Sequence, residues 1–226
     1  MVADTAAGAA PGRLMTLPGV YTPQDDTELL ARALCREDIG TGTDVLDLGT
    51  GSGALAVHAA RLGARVTAVD IAWRAVLTAR LNAVAARQRI TVLKGDLTAA
   101  VPGRSYDFVA SNPPYVPSPS RRLPRRGAAR SWDAGQDGRA VVDRICDAAP
   151  EALRPGGVLL MVHSALCGTE DTLRRLSKAG LETSVADRAL IPLGPVLRSR
   201  LAFLRGQGLL GDEDMEELVV IRAERT

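Results

Sequence analysis

At 226 residues, 46% of them hydrophobic, the chain is long enough for one domain with a sizeable core, and no apolar run approaches the roughly 18 residues that suggest a membrane-crossing helix. Charged residues make up 24% and the net charge is +2, so neither nucleic acid nor an anionic membrane is demanded as a partner. Cys35, Cys146 and Cys167 are odd in number and form no Cys-x-x-Cys pair, which supports neither a disulfide framework nor a metal site; reduced thiols in the cytoplasm are the simple expectation.

Residues 1–12 are rich in Ala and Gly and lack a basic stretch followed by an apolar one, so they read as a flexible N-terminus rather than a signal peptide. Residues 13–226 read as a single domain. Its opening segment, 13–40, begins extended through Tyr21. A helix start follows at Thr22-Pro23-Gln24-Asp25-Asp26-Thr27, where the acids complement the helix dipole, and the helix runs on to Leu34. Leu30 and Leu34 share a face at i, i+4 spacing. On these residues alone, Tyr21 and Thr27 read as packing and capping groups.

Asp44-Val45-Leu46-Asp47-Leu48 reads as a strand, and Gly49-Thr50-Gly51-Ser52-Gly53 follows at once. A helical pattern runs from Ala54 to Leu62 and stops at Gly63, and a second strand, Arg65–Asp70, ends in an acid. Glycines at 49, 51 and 53 permit a tight turn and close approach of a ligand to the backbone, and Asp70 is placed to take the hydroxyls of a ribose. The pattern is Asp47-x-Gly49-x-Gly51-x-Gly53. An acid before the first glycine suits a ligand carrying an ammonium group, S-adenosylmethionine, better than a pyrophosphate. Asp47 as a plain cap of the turn stays open beside that reading.

A helix from Ile71 to Ala83 and a third strand, Ile90–Lys94, lead to Asp96, which is placed to receive an adenine amino group. A fourth strand, Tyr106–Ala110, leads into Ser111-Asn112-Pro113-Pro114-Tyr115. Two prolines make this segment stiff, and a rigid pair of acceptors beside an aromatic ring can grip a planar N–H group. Four successive strands thus deliver Asp47 with the glycines, Asp70, Asp96 and Asn112 to one sheet edge, where ligands of open α/β sheets collect. Phe108 reads as core; Tyr106 and Trp73 have no assignment. His58 and His163 read as structural.

Residues 117–137 are expected to form a loop over this site. Its arginines at 121, 122, 125, 126 and 130 fit either a flap that orders on substrate or a partner, where they would meet RNA or an acidic protein face, or a plain solvated loop. Arg139–Leu153 reads as a helix that breaks at Arg154-Pro155-Gly156-Gly157, with Val158–His163 as the fifth strand. Glu170–Ala179 reads as a helix, Glu182–Ala189 as a strand, Val196–Arg205 as a short helix after the interruption at 191–195, and Glu217–Ala223 as a last strand.

Together these segments resemble the class I S-adenosylmethionine-dependent methyltransferases, and Asn112-Pro113-Pro114-Tyr115 resembles the NPPY motif of those that methylate a planar nitrogen. Val20-Tyr21-Thr22-Pro23-Gln24-Asp25-Asp26-Thr27 and Trp132-Asp133-Ala134-Gly135-Gln136-Asp137-Gly138-Arg139 narrow the resemblance to HemK-type protein-glutamine N5-methyltransferases, in the short form without an N-terminal helical domain; Ala134 departs from the expected glycine. The resemblance implies an α/β Rossmann-like doubly wound sheet of seven strands, mostly parallel with an antiparallel C-terminal strand. It implies S-adenosylmethionine as cofactor and S-adenosylhomocysteine as product, held by Tyr21, Thr27, Asp47, Gly49, Gly51, Gly53, Asp70, Ile71, Asp96, Leu97 and Asn112. Asn112, Pro113 and Tyr115 would be catalytic, the first two accepting the N–H groups of the substrate amide and Tyr115 packing on its plane; Pro114 and Trp132 would contact substrate. A translation release factor is the implied substrate, with a small partner subunit as a possible companion. The alternatives are a small-molecule substrate, a nucleic-acid base, which the low net charge disfavours, and a non-catalytic cofactor-binding partner protein.

Overall fold

The computed structural model describes residues 14–226; the expected flexible stretch 1–12 lies outside them. The opening helix is α1 (Asp25–Leu34). It is followed by β1 (Asp44–Leu48), α2 (Ala54–Arg61), β2 (Arg65–Asp70), α3 (Trp73–Ala85), β3 (Ile90–Lys94) and β4 (Tyr106–Ser111). The second half comprises α4 (Val142–Ala152), β5 (Leu153–Ser164), α5 (Thr169–Lys178), β6 (Leu181–Pro192), α6 (Pro195–Arg198), α7 (Leu201–Gly206) and β7 (Met215–Arg225).

The strands form one sheet in the order β3-β2-β1-β4-β5-β7-β6. Neighbours from β3 to β5 are parallel, and β7 lies antiparallel between β5 and β6. This is the Rossmann-like seven-stranded sheet that the motifs imply. The chain winds outward from β1 through β2 to β3, then returns to place β4 on the other side of β1. The reversal opens a crevice beyond the C-terminal ends of β1 and β4. Leu48 is in register with Ser111 there, and the Ser111 hydroxyl donates to the Leu48 carbonyl at 2.8 Å, tying the two strand ends together.

Side-chain alternation along the strands feeds two cores. Val45, Val66, Ala68 and Leu160 face α1, α2 and α3; Leu46, Val109, Leu159 and Met161 face α4 and α5. Burial of both faces explains why these strands read as nearly continuous apolar runs.

Several expectations are corrected. The break at Arg154-Pro155-Gly156-Gly157 is not a loop: β5 begins at Leu153, and these residues form an irregularity in its pairing with β4, where Tyr106 faces Leu153 and Phe108 faces Val158. The preceding helix starts at Val142 rather than Arg139, because Gly138 has φ +74° and a β-carbon there would meet the Tyr115 carbonyl. Residues 191 and 192 complete β6 instead of interrupting it, and the helix expected over 196–205 is two short helices. Tyr106, unassigned in the sequence, is the largest fully buried side chain, whereas Phe108 is half-buried against the core.

Candidate active site

The crevice holds a cavity of about 1020 Å³. One wall is the glycine turn after β1. Its residues Gly49, Gly51 and Gly53 have φ of +72°, +55° and +83°, which glycine alone adopts without strain. A β-carbon at Gly49 would meet nothing, whereas one at Gly53 would press on Ala79 of α3 at 3.0 Å. Gly49 and Gly51 therefore leave the backbone open to a ligand, while Gly53 lets two helices approach.

The acids at the strand ends are held mainly by local donors. Asp70 accepts from the Gly51 N–H at 3.0 Å and the Ala72 N–H at 2.8 Å; burial raises its pKa, and these N–H groups partly offset that. Asp47 is buried beneath the turn. One carboxylate oxygen accepts from the Thr50 hydroxyl and the Ala56 N–H, and the other, Oδ1, has no partner among the described residues. Burial pushes its carboxyl up to about 7. A buried carboxylate oxygen without a donor, under a turn of open backbone, is the environment an ammonium group or a bridging water would complete. The residues present thus fit S-adenosylmethionine. Asp96 is half exposed and pairs with Arg144 at 2.8 Å.

The opposite wall is built from distant segments. Asp26 of α1 is buried, only 3% exposed, and gathers four donors: the Tyr21 hydroxyl at 2.8 Å, the Tyr115 hydroxyl at 3.0 Å, the Thr27 N–H at 2.6 Å and the Thr27 hydroxyl at 3.1 Å. Burial and this carboxylate raise the pKa of both tyrosines, so both remain neutral phenols. The Thr27 hydroxyl in turn accepts from Asn112 Nδ2 at 3.2 Å. With its amino end held, Asn112 keeps Oδ1 as an acceptor at the cavity. Glu216 of β7 is also buried close to Asp26, and its carboxyl is pushed up to about 7, chiefly by burial.

Two devices close the site. The segment before α1 is strapped to α3: Asn82 exchanges hydrogen bonds with the Met15 backbone at 2.9 and 2.8 Å and also donates to the Ser52 carbonyl. The 117–137 loop is clamped at its base, where the Val116 N–H donates to Trp132 and the Ala134 N–H donates to Val116. Ala134, at the position where glycine was expected, is fully buried in this clamp.

Of the residues singled out in the sequence, Tyr21, Thr27, Gly49, Gly51, Asp70, Ile71, Asp96, Leu97, Asn112, Pro113, Pro114, Tyr115 and Trp132 line the one cavity. Asp47 and Gly53 lie behind its surface. His163 is fully buried, with its pKa lowered to about 4 by burial, and His58 meets Cys35 on the far side of α2; neither lines the cavity. Sequence reasoning missed Asp26, Asn82, Arg144 and Glu216. Only Asp26 carried a signal: it precedes Leu30 and Leu34 at i, i+4 spacing, so an acid sits on the apolar face of α1.

Sheet order, glycine turn and strand-end acids define an S-adenosylmethionine-dependent methyltransferase. The profile of the Methyltransferase small domain matches residues 12–122. The chain is 32% identical to a Methanocaldococcus jannaschii protein provisionally named N5-glutamine methyltransferase MJ0928, over 80% of this chain and 90% of that one. It is 40% identical to the release factor glutamine methyltransferase of Bordetella pertussis over 65% of this chain, spanning 57% of that longer enzyme. In three dimensions it matches the E. cuniculi Mtq2–Trm112 complex, described as responsible for methylation of the termination factor eRF1, with a TM-score of 0.63 and 25% identity over 92% of this chain and 99% of that one. The chain belongs to the HemK-type family of protein-glutamine N5-methyltransferases.

Proposed function

We propose that this enzyme methylates the side-chain amide nitrogen of a glutamine in a protein, with a translation release factor as its substrate. The observation that carries this reading is the fixed amide of Asn112. Thr27 holds its Nδ2, so Oδ1 is presented as an acceptor beside Pro113, Pro114, Tyr115 and Trp132. A planar primary amide has two N–H groups, and Asn112 Oδ1 and the Pro113 carbonyl are two stiffly held acceptors for them.

Bound S-adenosylmethionine supplies an electrophilic methyl group on a sulfonium. Asp47, Asp70 and the glycine turn would hold it, with Asp96 and Leu97 towards its adenine end. The chain's own contribution is positioning, which in favourable cases supplies roughly 7–11 kcal/mol. Asn112 and Pro113 would pin the nitrogen and stabilise the positive charge that develops on it. Tyr115, its hydroxyl anchored to Asp26, would support the amide plane. The proton released from the nitrogen passes to water.

Residues 13–226 would act as one methyltransferase domain, with 117–137 covering the site. A small companion subunit is proposed by likeness to the complex of the E. cuniculi protein. Cytoplasmic action suits the free thiols of Cys35, Cys146 and Cys167. Among the described residues no helix is long and apolar enough to cross a membrane.

The test is transfer of labelled methyl to purified release factor, bulk nucleic acid and a small-molecule extract in parallel. Label on a release-factor glutamine is expected. Asn112→Ala should lower transfer on the order of 10²–10³-fold, as loss of a charge-stabilising group does, with cofactor affinity changed little. Label confined to the extract or the nucleic acid would overturn the glutamine reading.

A further inference from the structure

The connection between β6 and β7 is longer than the sheet requires. The two strands are antiparallel neighbours, paired from Leu181 opposite Arg225 to Pro192 opposite Met215, and a turn of about two to five residues could join them. Residues 193–214 instead leave the sheet, with the Leu193 N–H donating to the Asp214 carbonyl at 2.9 Å where they depart, and they form α6 and α7. Leu193, Leu197, Leu204 and Leu210 give this excursion a small apolar core of its own. Val116, the residue after the Asn112–Tyr115 motif, packs against that core.

Arg200, between α6 and α7, adds the polar contact. Its Nη1 donates to the Pro117 carbonyl at 2.9 Å and its Nη2 to Asp133 Oδ1 at 2.6 Å. Pro117 lies on the outgoing arm of the loop over the site, and Asp133 on the returning arm. The same two arms are joined by backbone hydrogen bonds, in which the N–H groups of Val116, Ala134 and Ser118 donate to Trp132, Val116 and Gly135. Among the described residues, residues 119–131 make one hydrogen bond outside the loop, from Ser131 to the Gly19 carbonyl at 3.5 Å. The loop is thus fixed at its two feet. The side chains of Arg200 and Asp133 are only 16% and 10% exposed, so water screens the pair little, and loss of one partner strands the other.

We infer that Arg200 is a positioning residue for methyl transfer: it binds both feet of the loop to the α6–α7 buttress and so holds Tyr115 and Trp132 in place for the acceptor. The inference rests on the placement of the acceptor beside Asn112 proposed above, and it gives residues 193–214 their role. A guanidinium suits the task, because one planar fork serves a carbonyl on one arm and a carboxylate on the other, whereas a lysine ammonium is a point charge on a flexible stem. Tyr115 adjoins Val116 and Trp132 adjoins Asp133, so a loosened foot shifts the acceptor wall.

The experiment compares the full wild-type chain with Arg200→Met, which removes every donor, and Arg200→Lys, which keeps the charge without the fork. Arg222→Met, which breaks an ion pair with Glu37 away from the cavity, is the stability control. Hydrogen exchange is read at the amides of Val116, Ser118 and Ala134, a measurement that needs no acceptor. Arg200→Met should speed it on the order of tenfold, as loss of a hydrogen bond to a charged group does, and Arg200→Lys should speed it less. With whichever acceptor takes label in the transfer assay above, Arg200→Met should raise the acceptor KM on the order of tenfold, because a loosened wall must be ordered at each binding event. Its kcat and cofactor affinity should change little. Arg222→Met should lower the melting temperature and move neither readout. Unchanged exchange at the three amides overturns the inference. So does exchange that speeds equally across the whole sheet, and so does a loosened loop with the acceptor KM unaltered. The two readings fail separately. If no glutamine takes label, the glutamine reading falls while exchange at the feet still decides the clamp. If Arg200→Met methylates a release-factor glutamine with the wild-type KM, the clamp falls and the glutamine reading stands.

Discussion

The wall proposed to hold most of the cofactor is drawn from residues 47–97, whereas the wall proposed to hold the acceptor, which also carries Tyr21, Thr27 and Asn112, joins segments that stand far apart in the chain. On the first wall, Asp70 is satisfied by backbone N–H groups two and nineteen residues away, and Asp47 by Thr50 and Ala56. On the second, Asp26 reaches Tyr115 across 89 positions, and Asn112 reaches Thr27 across 85. Backbone geometry makes the cofactor wall, so glycine and strand register matter most there. Side-chain hydroxyls and carboxylates make the acceptor wall, so it depends on a few buried contacts that single substitutions can break.

Asp26 offers the sharpest way to break this contrast. Asp26→Ala leaves two half-buried phenols without their acceptor and should cost up to about 3 kcal/mol in stability, with transfer falling more than cofactor affinity. Thermal melting and a comparison of transfer with cofactor binding would check it. Unchanged transfer in a folded Asp26→Ala protein would show that this carboxylate does not set the acceptor wall.

The effect at Asp47 should be smaller and dependent on pH. Burial raises its carboxyl to about 7 in the folded protein. A bound ammonium group favours the ionised form, so cofactor binding releases this proton below about pH 7. Affinity should fall as pH drops through that value, by up to about tenfold per unit, and level off above it. Calorimetry across pH would show the slope, and Asp47→Asn should flatten it. An unchanged slope in Asp47→Asn would assign Asp47 to the turn alone.

Smallest is Thr27→Val, which keeps the branched shape but removes the acceptor for Asn112 Nδ2. A loss of about 1 kcal/mol, roughly fivefold in transfer with little change in cofactor affinity, is expected. Steady-state kinetics with the methyl acceptor varied would measure it.

The cofactor wall was legible in the sequence because its pieces are neighbours along the chain. Strand, glycine turn, helix and acid-ended strand form one βαβ unit, and the spacing of Asp47, the glycines and Asp70 carries its geometry. The acceptor motif was legible through the rigidity of Pro113 and Pro114. The surroundings of that motif were not. Asp25 and Asp26 both read as dipole-complementing acids at a helix start, yet Asp25 is exposed and Asp26 is buried. The Arg154–Gly157 stretch carries ordinary turn residues, and only pairing with β4 draws it into a strand.

By itself the sequence determined the order of elements, the sheet edge at which the site lies and the chemistry of the residues delivered there. These follow from local periodicity, proline and glycine stereochemistry and the alternation of strand and helix. Only the tertiary structure decided which acids face the cavity and which lie behind it, that Thr27 orients Asn112, and that Asp26 anchors both tyrosines. A buried charge is defined by the partners that surround it in space, and those partners come from chain segments whose separation in sequence carries no trace of their contact.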